Sequence, residues 1–346
     1  MDPVSIALIG CGIITRSAHQ PALTALGGRV RLVATVDTDP EAARHAAEPF
    51  GARVTDIEGA LADPAVEAVL IATPESCHAE QVIAAAKAGK HVMCEKPIAP
   101  TLEEADDMIA ACDAAGIVFM VAHSRRFTRR YMDVAADLSS GRIGQVRLVR
   151  ENERRPQGFG PGGVQTFRPG HWTGDPKQTL GIALLAGIHE ADIINWFASA
   201  RPVTVVARHA VTTPGNQGVP DFLSFAVRFD NGAIGTSEIG RMQPPGYPAV
   251  HQLEIYGTQG AIRARDHDCQ SLVRHDAAGA HHPESLSLNL SGGQTYVRQL
   301  AAFVDAIRSG QTLAVTPQDA RLALAVTLAA IESAETGRRI AVKAAS

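Results

Sequence analysis

Val4-Ser5-Ile6-Ala7-Leu8-Ile9-Gly10-Cys11-Gly12-Ile13-Ile14-Thr15 decides the fold. A short run of apolar residues is followed by two glycines one residue apart, and then by a segment of helical character. That is a strand feeding a helix through a tight turn, the setting in which a G-x-G-x-x-G pattern cradles a dinucleotide. Gly10 permits the turn. Gly12 lets backbone N–H groups, those of Ile13 and Ile14 among them, approach a pyrophosphate at the helix N-terminus. The third position of the pattern is Thr15, where Gly or Ala would pack closest, so its hydroxyl is either a packing feature or a group facing the ligand.

The same alternation continues outward. Val30–Val36, Ala68–Ala72, His91–Cys94 and Ile117–Ala122 read as further strands, each short and rich in Val and Ile, as strands covered on both faces are. Helices are expected at about 14–26, 40–48, 77–88 and 101–114; Gly51 and Gly116 mark two of their stops. Strand and helix in alternation give a doubly wound parallel sheet, an α/β fold of the Rossmann type. Past Ala122 the texture changes. A helix at about 126–139 and a strand from Gln145 lead to a Pro/Gly-rich loop at 156–163, then a helix at about 179–198. Strand-like runs at 203–211, 223–229, 233–239, 251–256 and 261–264 follow, with Asp230-Asn231-Gly232 as a hairpin signal between two of them. Strands joined by turns predict a mostly antiparallel sheet, and two helices at about 293–309 and 317–335 end the chain. The expected division is residues 1–122, a nucleotide-binding domain, and 123–346, an α+β domain for substrate and oligomerisation.

Composition narrows the classes. With 346 residues, 45% apolar and 20% charged, the chain has material for two domains and is not disordered as a whole. A net charge of −4 without a long basic run argues against a nucleic-acid partner. No apolar run approaches the ~18 residues of a membrane span, and MDPVSIALIG lacks the basic start of a secretory signal. Cysteines 11, 77, 94, 112 and 269 are scattered without a C-x-x-C pair, as in a reduced, cytoplasmic protein with no zinc site.

Asp37 stands at the end of the second strand, about twenty residues past the glycine turn, where an acidic side chain accepts hydrogen bonds from the adenosine ribose. The alternative is an aspartate that caps the next helix. Thr38-Asp39-Pro40 offers no cation to a 2′-phosphate, which favours NAD over NADP. Of 32 basic Lys and Arg residues only five are lysines. Lys87 and Lys90 flank a helix end. Lys96, in Cys94-Glu95-Lys96-Pro97, follows a buried strand at the carboxyl edge of the sheet, where open α/β sheets bind ligands, and could hydrogen-bond a substrate hydroxyl. Taken alone, Glu-Lys-Pro is equally a surface turn.

Ile71–Ala99 (IATPESCHAEQVIAAAKAGKHVMCEKPIA) resembles the Gfo/Idh/MocA oxidoreductases. The likeness extends through HSRRFTRRY, SGRIGQV, GIALLAGIHEADIINWF and VTPQDARLALAVTLAAIESAETGRRI, nearly the whole chain. It implies an N-terminal Rossmann domain, a C-terminal open sheet that often forms an oligomer interface (a homodimer or homotetramer), and NAD(P)-dependent chemistry on a sugar-like hydroxyl or ketone. It also implies that Thr73, Pro74, His78, Glu95 and Lys96 line the cofactor, that Lys96–Pro97 is cis, that Lys96 is catalytic, and that His189 exchanges the substrate proton. Asp192 either orients that helix or lies at the surface. Relatives often carry an aspartate four residues before the histidine; here the position is Leu185, and of the usual preceding glycines only Gly181 remains.

Other candidates are open. His189-Glu190 is no H-E-x-x-H zinc motif, because residue 193 is Ile. His281-His282 reads as a solvated pair. Arg125, Arg126, Arg129 and Arg130 either bind substrate oxygens or make helix-surface ion pairs, and His123 could contact substrate. In the loop from Arg154 to Gln178, beside Arg168, the residues His171, Trp172 and Asp175 are candidates for substrate contact or for anchoring the loop. Three functions remain: an NAD-dependent sugar or cyclitol dehydrogenase, a redox-neutral enzyme with tightly held NAD, and an NAD-sensing binding protein.

Overall fold

The computed structural model describes residues 2–156, 181–213, 218–243, 249–265, 271–276, 279–281 and 292–343. His171, Trp172, Asp175 and Arg168 lie outside them, as does His282. The chain divides into two compact units, residues 1–128 with 289–321, and residues 129–288 with 322–346.

In the first unit β1 (Val4–Ile9) is buried at every position, as a strand with both faces covered must be. It is followed by α1 (Gln20–Leu26), β2 (Val30–Val36), α2 (Pro40–Ala47), β3 (Arg53–Val54), α3 (Ile57–Ala62), β4 (Ala68–Ile71), α4 (His78–Lys87), β5 (His91–Cys94), α5 (Leu102–Ala115) and β6 (Phe119–Val121). The six strands are parallel in the order β3-β2-β1-β4-β5-β6. The direction of winding reverses between β1 and β4, which makes the carboxyl ends of those two strands the switch point where such sheets bind ligands. α2 and α5 start as their sequences suggest: Asp39 accepts the Glu41 N–H, Thr101 accepts the Glu104 N–H, and each helix has acid in its first turn. β3 and α3 have no counterpart in the sequence reading. β3 is two exposed residues long, too short to carry a period.

The first unit does not end where the texture of the sequence changes. The helix Gly292–Ser309 returns to it, and Leu300, Phe303 and Val304 are buried in one cluster with Val4, Leu32 and Met93. By its contacts the first unit runs to residue 128 and takes in a second segment of 33 residues, 289–321. The physical reason is an apolar stripe on that helix that finds its cover on the nucleotide-type sheet. Arg308 reinforces it, donating to the carbonyls of Asp2 (3.1 Å) and Pro3 (3.0 Å).

The second unit contains α6 (Arg129–Ser139), β7 (Val146–Pro156), α7 (Ile188–Ala198), β8 (Pro202–Ala210), β9 (Phe222–Phe229), β10 (Ile234–Gln243), β11 (Val250–Gly257), β12 (Gly260–Arg265), β13 (Ser271–Asp276), β14 (Gly279–His281) and β15 (Ile340–Ala341). These strands form one sheet of nine, ordered β14-β13-β12-β11-β7-β10-β9-β8-β15. Every pair is antiparallel except β7 with β10, so the sheet is mixed but mostly antiparallel, as expected. β9 and β10 are the hairpin read from Asp230-Asn231-Gly232, closed by the Gly232 N–H on the Phe229 carbonyl. α7 packs on one face of the sheet; a Cβ at Gly235 would collide with Ile194.

Candidate active site

Gly10 ends β1 in a conformation reserved for glycine, φ +92°, and a Cβ there would lie 2.6 Å from the carbonyl carbon and oxygen of Ala72 at the end of β4. The two strand ends at the switch point thus approach at backbone distance. Gly12 is exposed, with nothing within 4 Å of where its Cβ would be. A side chain would fill that open cradle. Ile13 and Ile14 form the first turn of the helix, whose N–H groups have no intrahelical acceptors and suit a diphosphate. The residues present fit a dinucleotide.

Asp37 fastens this turn. One carboxylate oxygen accepts the Cys11 N–H at 2.6 Å, and the other accepts the Asp39 N–H at 2.8 Å. The helix-capping alternative falls to Asp39, not Asp37. Asp37 is half-buried, and its oxygens have lone pairs left to accept ribose hydroxyls. Thr15 does not face a ligand: it is fully buried and donates its hydroxyl to the Gly10 carbonyl at 2.7 Å. The third position of the glycine pattern is therefore a brace for the turn. Burial, then the Asp37 charge, push the Cys11 thiol up to about 12.

Lys96 follows β5, two strands from β1 on the same carboxyl edge, and its bond to Pro97 is cis. The lysine is half-buried; its neighbours on both sides are buried. Glu95 takes the His19 ring on one oxygen at 2.9 Å and the Lys96 backbone N–H on the other at 3.1 Å. Burial pushes this carboxyl up, but the His19 hydrogen bond and charge, with the Lys96 charge, outweigh it and hold Glu95 below its ordinary value. His78 does not present a nitrogen to a nucleotide: its ring lies between the Pro97 carbonyl (2.9 Å) and the Thr73 carbonyl (3.0 Å), with 1% of the residue exposed. It ties the loop after β4 to the loop after β5. Thr73 donates its hydroxyl to Gln81 at 2.7 Å, and Pro74 is exposed beside it.

Sequence reasoning missed His19. It lies in a π-helical turn, Thr15–His19, directly after the glycine pattern, and meets Glu95 across 76 residues. Wide turns of this type are frequent at functional sites. A histidine on a helix with no local partner gives no such signal in the sequence.

Arg126 is buried, with its guanidinium given to the Ala314 carbonyl (3.1 Å) and Asp319 (3.2 Å) within the first unit, because a buried guanidinium needs acceptors and these lie beside it. Arg129 makes the helix-surface pair with Asp133 at 2.8 Å, and the Arg130 guanidinium lies 4.6 Å from the centre of the Tyr131 ring. His123, two residues past the end of β6, is fully buried.

In the second unit His189 is the second residue of α7, half-buried, just after the π-helical turn Ala183–Gly187 that contains Leu185. Asp192, one turn on, is 1% exposed, which removes its surface reading. Glu190 is buried too. On the sheet face that α7 covers, Glu153 accepts Arg241 at 2.7 Å and Arg155 at 2.8 Å, with His251 at 3.3 Å. Tyr131 donates to Glu151 nearby. This ionic layer had no sequence signal, because its members come from three strands. His281 ends β14 and is not in a loop.

Residues 4–123 match the Gfo/Idh/MocA oxidoreductase family, NAD-binding Rossmann fold, and residues 131–263 match the Gfo/Idh/MocA C-terminal domain. The 1,5-anhydro-D-fructose reductase of Ensifer adhaerens is 30% identical over 96% of both chains. The myo-inositol 2-dehydrogenase of Thermotoga maritima is 28% identical over 97% of both. Among solved structures, a levoglucosan dehydrogenase in complex with NADH and levoglucosan superposes with a TM-score of 0.87 at 26% identity, covering 99% of this chain and 100% of that one.

Proposed function

That the chain belongs to the Gfo/Idh/MocA oxidoreductase family is the premise from which we propose its activity: NAD-dependent hydride transfer to or from a hydroxyl or ketone carbon of a sugar, cyclitol or sugar derivative. One observation carries the reading. At the switch point of a parallel sheet, an open glycine turn held by Asp37 shares its edge with a lysine set between buried neighbours. When bound, NAD supplies the hydride-accepting or hydride-donating carbon. Gly10, Gly12, Ile13 and Ile14 hold its diphosphate, and Asp37 its adenosine ribose, while Thr73, Pro74 and Glu95 border it. Lys96 binds and polarises the reacting oxygen, and His189 takes or returns the proton.

The proposal extends to a cytoplasmic homodimer or homotetramer. Cys11, Cys77, Cys94 and Cys112 are all free thiols. On the sheet face opposite α7, Arg150, Arg154, Val206, Ala226, Thr236 and Glu238 line a broad open depression. Light scattering on the eluting protein reports the oligomer.

The activity is tested with purified protein, NAD or NADH, and a panel of myo-inositol, levoglucosan, 1,5-anhydro-D-fructose and related polyols and ketoses. The expected result is reduction or oxidation of the nicotinamide with at least one member. NAD that co-purifies, does not exchange and gives no net NADH with any of them would overturn this reading in favour of a redox-neutral reaction.

A further inference from the structure

The Glu95-Lys96-Pro97 segment is held at one end by a residue that belongs to the glycine-turn helix. His19 is 1% exposed, its ring stacked edge-on against Tyr296 with centroids 5.4 Å apart, and its Nε2 lies 2.9 Å from Glu95 Oε1. The second Glu95 oxygen accepts the Lys96 N–H at 3.1 Å. The carboxylate is therefore a buried link between an imidazole fixed in one segment and a main-chain amide in another. A buried carboxylate needs such partners: without them it protonates or turns away.

We propose that His19 is a positioning residue for the reaction at Lys96: it fixes the Glu95 carboxylate, and through it the backbone and charge environment of the lysine, against the segment that carries the glycine turn. This rests on the hydride-transfer reading given above. The pair is worth more than its two contacts because the linked parts have different tasks, one set toward the dinucleotide and the other toward the reacting oxygen. Displacement of a reacting group by about 1 Å can cost about a hundredfold in rate. A π-helical turn over Thr15–His19 ends on the histidine and is followed at once by α1.

The test compares His19→Gln, His19→Asn and His19→Leu. The Gln amide nitrogen occupies the place of Nε2 and can donate to Glu95, the Asn nitrogen matches Nδ1 and cannot, and Leu removes the donor. Expected is a fall in kcat of about ten- to a hundredfold for Leu and Asn, near wild-type kcat for Gln, and an NADH Kd within about threefold in all three. If the Leu variant does not fold, the Asn and Gln pair still decides. A second readout needs no substrate: acylation of Lys96 relative to Lys87, by mass spectrometry, rises about threefold or more in Leu and Asn and stays unchanged in Gln. Equal kcat in all variants with unchanged Lys96 acylation overturns the proposal, and so does a Gln variant no better than Leu. If the wild type turns over no polyol at all, the hydride-transfer reading fails on that result, while the acylation ratios still decide for or against the positioning role.

Discussion

Asp37 holds the N–H of Cys11 at 2.6 Å, so the end of the second strand grips the turn that ends the first. The same carboxylate is placed to meet an adenosine ribose, and one substitution reads both tasks. Removing a charged acceptor costs roughly 1–3 kcal/mol, or about 5- to 150-fold in Kd. Asp37→Ala is expected to weaken NADH by that factor in a fluorescence titration. Asp37→Ser, which keeps a short acceptor without the charge, narrows the gap between NADH and NADPH.

Gly10 and Gly12 separate stability from binding. Gly10→Ala forces a side chain into φ +92° and against Ala72, costing roughly 1–3 kcal/mol for the backbone alone. A lower denaturant midpoint with an unchanged slope is the expected sign. Gly12→Ala meets nothing in the protein and leaves the midpoint in place, while NADH binding weakens because the added methyl group stands in the cradle.

Lys96→Met keeps the length of the stem and removes the ammonium. Loss of the group that polarises the reacting oxygen lowers kcat by about 10²–10³-fold, and NADH affinity is expected to stay within about threefold of wild type. A parallel loss of both would place the lysine in cofactor binding alone.

Glu95 makes stability depend on pH. Its folded value lies below the ordinary 4.5, so the folded state binds the proton less readily than the unfolded chain. The resulting stabilisation is complete above about 4.5 and is lost as the pH falls from there through the lower folded value. Melting temperature measured from pH 7 to 3, on the wild type and on Glu95→Gln, is expected to show a shallower acid decline for the variant.

The cysteines differ in reach. Cys11, Cys94 and Cys112 are buried, and burial first of all pushes all three thiols up, Cys11 and Cys112 to about 12. Cys77 is half-exposed before α4. Brief alkylation at pH 8 followed by peptide mapping is expected to label Cys77 ahead of those three.

What the sequence made legible was local. Val4–Ile9, Val30–Val36 and His91–Cys94 form where their apolar runs stand, and Asp39 and Thr101 cap the helices that follow them. The glycine turn, Asp37 and Lys96 are recognisable because each is a short pattern at a strand end. What stayed hidden joins residues far apart. His19 needs Glu95, and Glu153 needs Arg241 from another strand, so neither shows in a local window. The parallel pairing of β7 with β10 is equally silent, since either direction would suit the alternation of their side chains. Arg126 likewise meets Ala314 and Asp319 only across the chain, so these partners left no local trace.

The helix Gly292–Ser309 gives the chain an order of assembly. On the ribosome residues 1–128 emerge before the second unit, yet Val4, Leu32 and Met93 lack the cover of Leu300, Phe303 and Val304 until residues 129–288 have been synthesised and the segment 289–321 follows. The nucleotide-type sheet is begun before the second unit and sealed after most of it, and in that interval its exposed flank is a natural ligand for chaperones.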